Sequence, residues 1–159
     1  MKREIEIDCT IALAFDDSPT INEYLAKIAW HWYHGPGGGG LIIQDKLVRI
    51  MPENPEGAII LSMENDSQDI YFLRDMASKI IEIMNGEKWL TPVLVVHPRL
   101  EYRFRNLLHK AGHEGVITPE EIEKLKYDTE AEKIWAKSPL FWWPRELLAR
   151  AIYKDKGWI

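Results

Sequence analysis

The stretch from Glu4 to Phe15 alternates between apolar and polar side chains, and it limits the possible folds more than any other part of the chain. Successive residues of a strand point to opposite faces of a sheet, whereas a helix repeats about every 3.6 residues. The stretch is therefore predicted to be a β-strand with one buried face. The residues predicted to face the core are Ile5, Ile7, Cys9, Ile11, Leu13 and Phe15, and those predicted to face solvent are Glu4, Glu6, Asp8 and Thr10.

Two amphipathic helices and three more extended segments follow this strand. The first helix is predicted to begin at Pro19, or at a capping box formed by Thr20 and Glu23, and to end before Gly35 and Pro36. The order strand, helix, strand, strand, helix, strand is that of a split βαβ domain. We therefore predict an α/β (α+β) fold, with a four-stranded, largely antiparallel sheet in βαββαβ order and helices mainly on one face. The remaining segments are a strand or tight hairpin at 41–51, a strand at 58–63, a helix at 67–86 and a strand at 93–96.

The last third of the chain is predicted to be helical. Prolines stand near the expected helix starts, and Gly112 is expected to end the first of these helices. We predict an α/β core domain at 1–115 and a helical C-terminal extension at 116–159, which packs on the core or forms oligomers. The helices are expected at 98–111, 118–137 and 144–156.

The composition excludes several classes of protein. The chain has 159 residues, a formal net charge of −5 and a single cysteine, so an internal disulfide framework and a cysteine-rich zinc site are excluded. No apolar run approaches the ~20 residues needed to cross a bilayer, and no signal-peptide pattern is seen, so a cytoplasmic protein is expected. Because phosphate affinity comes from Lys and Arg, the acidic balance requires any nucleic-acid site to be local.

The glycine run in "HWYHGPGGGG" does not match a phosphate-binding loop. Such a loop places backbone N–H groups at the start of a helix, whereas this run follows a helix, at the end that presents carbonyl groups. No Gly-Lys-Ser or Gly-Lys-Thr sequence is present either. We predict that Gly37 to Gly40 form a mobile or closely approached loop leading into the next strand.

Two pairs of residues could in principle bind a metal ion. His31 and His34 lie on one face of a helix, and Asp16 and Asp17 end the first strand. Each pair has a simpler explanation, since histidines suit the carbonyl end of a helix and acidic residues suit its start. We therefore expect no catalytic residue, metal site or cofactor. A small metal- or nucleotide-dependent enzyme acting through these four residues is the least favoured alternative.

The segment "HPRLEYRFRNLLHKAGH" gathers cations in an acidic chain. Its apolar residues form one helical stripe, which directs most of its polar residues to the opposite side. Positive charge interleaved with an exposed ring is the combination that binds phosphates while bases stack. The residues predicted to face solvent are Arg99, Tyr102, Arg103, Asn106 and Lys110, with Arg105 beside them.

The segment "SPLFWWPRELLARAIYKDKGW" combines adjacent rings with further cations. Phe141, Trp142 and Trp143 cannot all enter one core from a short stretch between two prolines, so at least one is predicted to lie at a surface or interface. The helix after these rings carries an apolar stripe that would suit a subunit contact. That stripe consists of Leu147, Leu148, Ala151 and Ile152.

The chain resembles the ThermoDBP-related single-stranded DNA-binding proteins of heat-loving archaea. The resemblance rests on the strand and helix order together with "HWYHGPGGGG", "HPRLEYRFRNLLHK" and the helical tail containing "FWWP". It implies an α/β N-terminal domain that binds single strands without reading their sequence, and C-terminal helices that form dimers or tetramers.

We therefore expect a non-enzymatic protein that binds single-stranded DNA, or RNA, through helices and loops. The alternative is a homo-oligomeric interaction or scaffold protein with weak or no nucleic-acid binding. The expected phosphate contacts are Arg99, Arg103, Arg105 and Lys110, extended by Lys46, Arg49 and Arg145, and the expected stacking rings are Tyr102, Trp30, Tyr33 and Trp142.

Overall fold

A parallel sheet between two layers of helices forms the centre of the protein. The computed structural model describes residues 6–15, 18–36, 39–62, 71–125 and 138–159. The strands are β1 Cys9–Ala12, β2 Gly40–Gln44, β3 Ile59–Leu61 and β4 Pro92–Val95. The helices are α1 Pro19–His34, α2 Asp45–Val48, α3 Phe72–Glu87, α4 Pro98–Lys110, α5 Glu120–Glu123 and α6 Pro139–Asp155.

All strand pairs in this sheet are parallel, and the strand order is β3-β2-β1-β4. The α/β class and the four strands are confirmed, but the antiparallel sheet and the βαββαβ order were wrong. The error lies at 41–51, which was predicted to be wholly extended. The chain instead leaves the sheet after Gln44, forms α2, and returns so that β3 runs alongside β2 in the same direction. This connection makes a hairpin impossible.

Helices cover both faces of the sheet, so the prediction that they lie mainly on one face was also wrong. Cys9 and Ile11 pack in one core with residues of α3 and α4, whereas Ala12 and Ala14 pack in a second core with residues of α1. Thr10 was predicted to face solvent and is fully buried. Parallel sheets are usually covered on both sides, and their strands read as nearly continuous apolar runs. The segments at 41–43 and 93–96 show that pattern.

The glycine run brings the start of β2 close to its neighbours. A Cβ atom on Gly39 would overlap the backbone carbonyl of Asp8, and one on Gly40 would overlap the indole ring of Trp89. The Gly40 amide donates to the Asp8 carbonyl at 2.9 Å. Close approach is therefore the role of these two glycines, while Gly37 and Gly38 lie outside the described residues.

The described parts of the C-terminal segment pack on both cores. Val93 pairs with Ile117 in a parallel bridge, Trp142 is buried with α1, and Tyr153 is buried with α3 and α4. Within the predicted helix at 118–137, only α5 is described, and 126–137 lies outside the described residues. The last helix begins earlier than predicted and contains Pro144. No helix in the described segments is long and apolar enough to cross a membrane.

We expect Gly40→Ala to destabilise the protein by roughly 1–3 kcal/mol, because the added methyl group overpacks a filled site. Gly86→Ala is the matched control, since Gly86 lies in α3 with open space around its Cβ position. The control should be neutral or stabilising by up to about 1 kcal/mol, as alanine favours helix. Urea unfolding of the two variants measures both effects, and equal midpoints would contradict the close-packing role.

His113 should make the fold sensitive to acid. It is 3% exposed, and neither ring nitrogen has a hydrogen-bond partner among the described residues. Burial lowers the pKa of His113 below its ordinary value of 6.5. The unfolded chain therefore binds the proton more readily, and stability should fall as pH drops below about 6.5. As pH drops through this range, the unfolding free energy of wild type should fall more steeply than that of His113→Leu, and parallel curves would refute the expectation.

Candidate nucleic-acid interface

Helix α4 does not present its cations as the sequence predicted. Phe104, Leu107 and Leu108 are buried as expected, but Arg103 is buried with them, at 2% exposure. Its guanidinium group points towards α6 rather than towards solvent. The prediction that Arg103 faces solvent was therefore wrong, and the structure gives it no exposed surface for a phosphate contact.

Arg103 forms a buried ion pair with Glu146 of α6. Its Nε atom lies 3.1 Å from both carboxylate oxygens of Glu146, and its Nη2 atom lies 3.0 Å from Oε2. Arg150 Nε donates to the same carboxylate at 2.9 Å. The Tyr153 ring lies 5.0 Å from the Arg103 guanidinium carbon, and its hydroxyl accepts a hydrogen bond from the Arg74 amide. We call Arg103, Glu146 and Arg150 the buried ion network.

The buried ion network fixes which side of α6 faces the protein. The buried positions follow a helical spacing of four, three and four residues, and they include the carboxylate. The leucines of the same helix are left outside, with Leu140 77%, Leu147 60% and Leu148 55% exposed. The predicted apolar stripe is therefore exposed in the described structure, and its subunit contact stays a prediction. The four inward residues are Trp142, Glu146, Ala149 and Tyr153.

Rings and guanidinium groups alternate along the edge where α4 and α6 meet. The Trp143 ring lies 4.8 Å from the Arg99 guanidinium carbon and 5.5 Å from that of Arg150. The Arg150 guanidinium carbon also lies 4.1 Å from the Tyr102 ring. Tyr102 is 47% exposed and Trp143 37% exposed, so both rings retain solvent-facing surface. We call Arg99, Trp143, Arg150 and Tyr102 the α4–α6 ladder.

Two of these ladder residues, Arg99 and Tyr102, were predicted as site residues. Trp143 and Arg150 lie in the aromatic and basic tail, but neither is among the contacts predicted from the sequence. The prediction that at least one of the three adjacent rings is exposed is confirmed by Trp143, while Trp142 is 2% exposed. A helical wheel of α6 predicts that Trp142 is buried and Trp143 is exposed only when Glu146 is placed on the inward face.

Arg105 and Trp142 both make contacts with other residues of the protein. Arg105 donates to the Glu101 carboxylate, to the Thr118 hydroxyl and, at 3.1 Å, to the Val116 carbonyl. The Trp142 ring packs 5.5 Å from the Phe15 ring. Arg105 therefore joins α4 to the segment before α5, and Trp142 belongs to the core. Trp142 is too buried for the predicted stacking, whereas the Arg105 side chain is 30% exposed and its phosphate contact stays a prediction.

The other predicted contacts are scattered. Trp30 and Tyr33 lie near the end of α1 and pack against its core, and the Tyr33 hydroxyl donates to the Glu56 carbonyl at 2.7 Å. Lys46 and Arg49 belong to the α2 region, where Arg49 pairs with Asp45 at 3.3 Å. Among the described residues, none of the contacts given for these four groups reaches the ladder. Lys110 is exposed beside Trp158, and Arg145 lies over the Trp142 ring at 5.7 Å.

The crevice at which open α/β sheets commonly bind ligands is filled by rings here. Strand order reverses between β1 and β4, so their carboxyl ends define that crevice. The Phe15 and His97 rings stack there with centroids 3.8 Å apart and planes 15° apart. Asp16 and Asp17 lie outside the described residues. Within the described ranges, no group of three or more metal-ligating side chains is found.

Cys9 has no features of a reactive thiol. It is fully buried in the core, and burial raises the pKa of its thiol to about 12. A thiol of this kind holds its proton at neutral pH and is a poor nucleophile. Among the described residues, the α4–α6 ladder is therefore the better candidate site.

Comparison with known proteins gives no relative. No protein-family model, no curated protein and no solved structure matches the chain. The resemblance to the ThermoDBP-related family stays a prediction. A function must therefore be inferred from the surface of this molecule.

Breaking the buried ion network should cost much stability. We expect Glu146→Gln to destabilise the fold by about 3–5 kcal/mol, because two guanidinium groups lose their carboxylate and one of them is buried. The double variant Arg103→Met/Glu146→Leu should regain most of that loss, since it removes buried charge on both sides. Chemical unfolding of Arg103→Met, Glu146→Leu and the double variant forms a double-mutant cycle that measures the coupling, and additive losses would contradict it.

Proposed function

We propose that this protein binds single-stranded nucleic acid, without general sequence readout, along the α4–α6 ladder. The observation that carries the proposal is the alternation of two guanidinium groups with two partly exposed rings. Single-strand sites commonly combine cations for the phosphates with aromatic faces for the bases. The site is smaller than the surface predicted from the sequence, because Arg103 and Trp142 are buried.

Local charge supports this position for the site. In the buried ion network, two guanidinium groups share one carboxylate, which leaves a net charge of about +1. The exposed Lys154 adds one more cation near the ladder. The chain as a whole carries −5, so a polyanion would be repelled from most of the surface and attracted here.

A single strand suits the ladder better than a duplex. Base faces in a duplex are already stacked on one another and cannot reach the rings of Tyr102 or Trp143. A single strand presents free base faces, and each base that stacks on a ring contributes roughly 1–3 kcal/mol. The proposal therefore expects single strands to bind more tightly than duplexes of equal length.

Tyr102→Ala should weaken binding of a fluorescent oligothymidine strand by about 1–3 kcal/mol, because it removes an exposed stacking ring. Lys154→Glu should also weaken binding, and removing one phosphate contact should reduce the slope of log affinity against log salt by about 0.7. Fluorescence anisotropy at several salt concentrations measures both quantities.

The control for these variants is Lys124→Glu, which makes the same charge change at an exposed position after α5. It should bind like wild type, or weaken binding slightly through net charge alone. If Lys124→Glu and Lys154→Glu reduce the affinity and its salt dependence by the same amounts, Lys154 does not contact the strand. If wild type binds no single strand at low salt, the proposal fails outright.

A second candidate is self-association, favoured by one specific observation. The outward face of α6 exposes Leu140, Leu147 and Leu148, and contiguous exposed apolar surface commonly marks a contact between proteins. A second copy of the chain could cover this face by pairing α6 with α6. Sedimentation at rising concentration tests this role, and Leu147→Glu should abolish a dimer that uses it.

A further inference from the structure

A small pocket opens beside the α4–α6 ladder, with a volume of about 300 Å³. Its size lies at the lower end of the range for small-molecule sites, which is roughly 300–1,000 Å³. A pocket of this size is large enough for one nucleotide. It is lined by Tyr102, Asn106, Arg150, Ala151, Lys154 and Ile159.

The walls of the pocket differ in chemistry. Arg150 and Lys154 stand one helical turn apart on α6 and supply positive charge. Tyr102 and Asn106 stand one turn apart on α4 and supply a ring and an amide. Ala151 adds apolar surface next to the cations. A nucleotide has the matching parts, namely a phosphate for the cations and a flat base for the ring and the apolar wall.

The Asn106 amide gives the pocket a means of distinguishing bases. Asn106 Nδ2 donates one hydrogen bond, to the Tyr102 carbonyl at 2.8 Å, which holds the amide in place. The second N–H of Nδ2 and the Oδ1 acceptor make no other hydrogen bond within the described part of the chain. A side-chain amide that offers one donor and one acceptor matches N6 and N7 of adenine, which is the pairing that Asn and Gln make in the DNA major groove.

We propose that this pocket binds one adenine nucleotide, either within a strand or as a free monophosphate. The proposal rests on the proposed function and adds a preferred base at one position of an otherwise unspecific site. Arg150 and Lys154 contact the phosphate, and Asn106 contacts the edge of the base. A strand would then bind in a defined register, with one adenine in the pocket and its neighbours on the ladder.

The test compares homopolymer strands of equal length, oligo(dA), oligo(dT) and oligo(dC), with wild type and Asn106→Leu. Wild type should bind oligo(dA) about tenfold more tightly than oligo(dT), as expected for one bidentate contact. Asn106→Leu should lose this preference and bind oligo(dA), oligo(dT) and oligo(dC) with equal affinity. Asn85→Leu is the matched control, because Asn85 is exposed on α3 and lies outside the pocket. It should keep the preference.

Competition separates the two sources of the nucleotide. Adenosine monophosphate should displace oligo(dA) from wild type but not from Asn106→Leu. Thymidine monophosphate should displace oligo(dA) from wild type less effectively than adenosine monophosphate does. If adenosine monophosphate does not compete while the oligo(dA) preference remains, the pocket does not bind the free nucleotide. That result would support binding of an adenine within a strand.

The remaining outcomes distinguish this inference from the proposed function. If wild type binds all three homopolymers equally, the proposed adenine preference of the pocket is wrong. The proposed single-strand binding along the α4–α6 ladder would still be supported. If Asn106→Leu still prefers oligo(dA), the proposal that this pocket selects adenine would also be overturned. Absence of any strand binding by wild type, together with no adenosine monophosphate binding, would overturn both proposals. Circular dichroism of the variants verifies that each is folded.

Discussion

The contact between Arg103 and Glu146 determines how the C-terminal helix sits on the rest of the protein. A buried charge is costly unless it is paired and hydrogen-bonded, so each residue requires the other. Glu146 accepts from Arg103 at 3.0–3.1 Å and from Arg150 at 2.9 Å. No rotation of α6 that exposes Glu146 is compatible with a buried Arg103. The surface of the protein on this side follows from that pairing.

The same pairing explains why leucines face outward and why rings and cations meet. Turning Glu146 inward carries Trp142 and Tyr153 into the two cores and turns Leu140 and Leu147 away from them. It also places Trp143 at the rim of α6, against the start of α4. The α4–α6 ladder is therefore a consequence of helix orientation.

The sheet shows how far local sequence carries a fold prediction. The helix at 19–34 was predicted with its observed bounds, and α4 within one residue, because their caps and prolines are local signals. The sheet direction was not predictable in the same way, since it depends on whether 45–58 returns to the starting edge or turns tightly. The continuous apolar segments at 41–43 and 93–96 did indicate burial on both faces. The alternation in β1 instead favoured a strand with one solvent-exposed face.

The sequence by itself determined the α/β class, the four strands, the main helices and the presence of an exposed ring among Phe141, Trp142 and Trp143. These follow from backbone periodicity, capping and the limited room in a core, which act over short distances along the chain. Only the tertiary structure decided that Arg103 is buried, that Arg105 is paired and that Tyr102 meets Arg150 and Trp143. The reason is that the fate of a charged side chain depends on a partner far away in sequence. Arg103 and Glu146 are 43 residues apart.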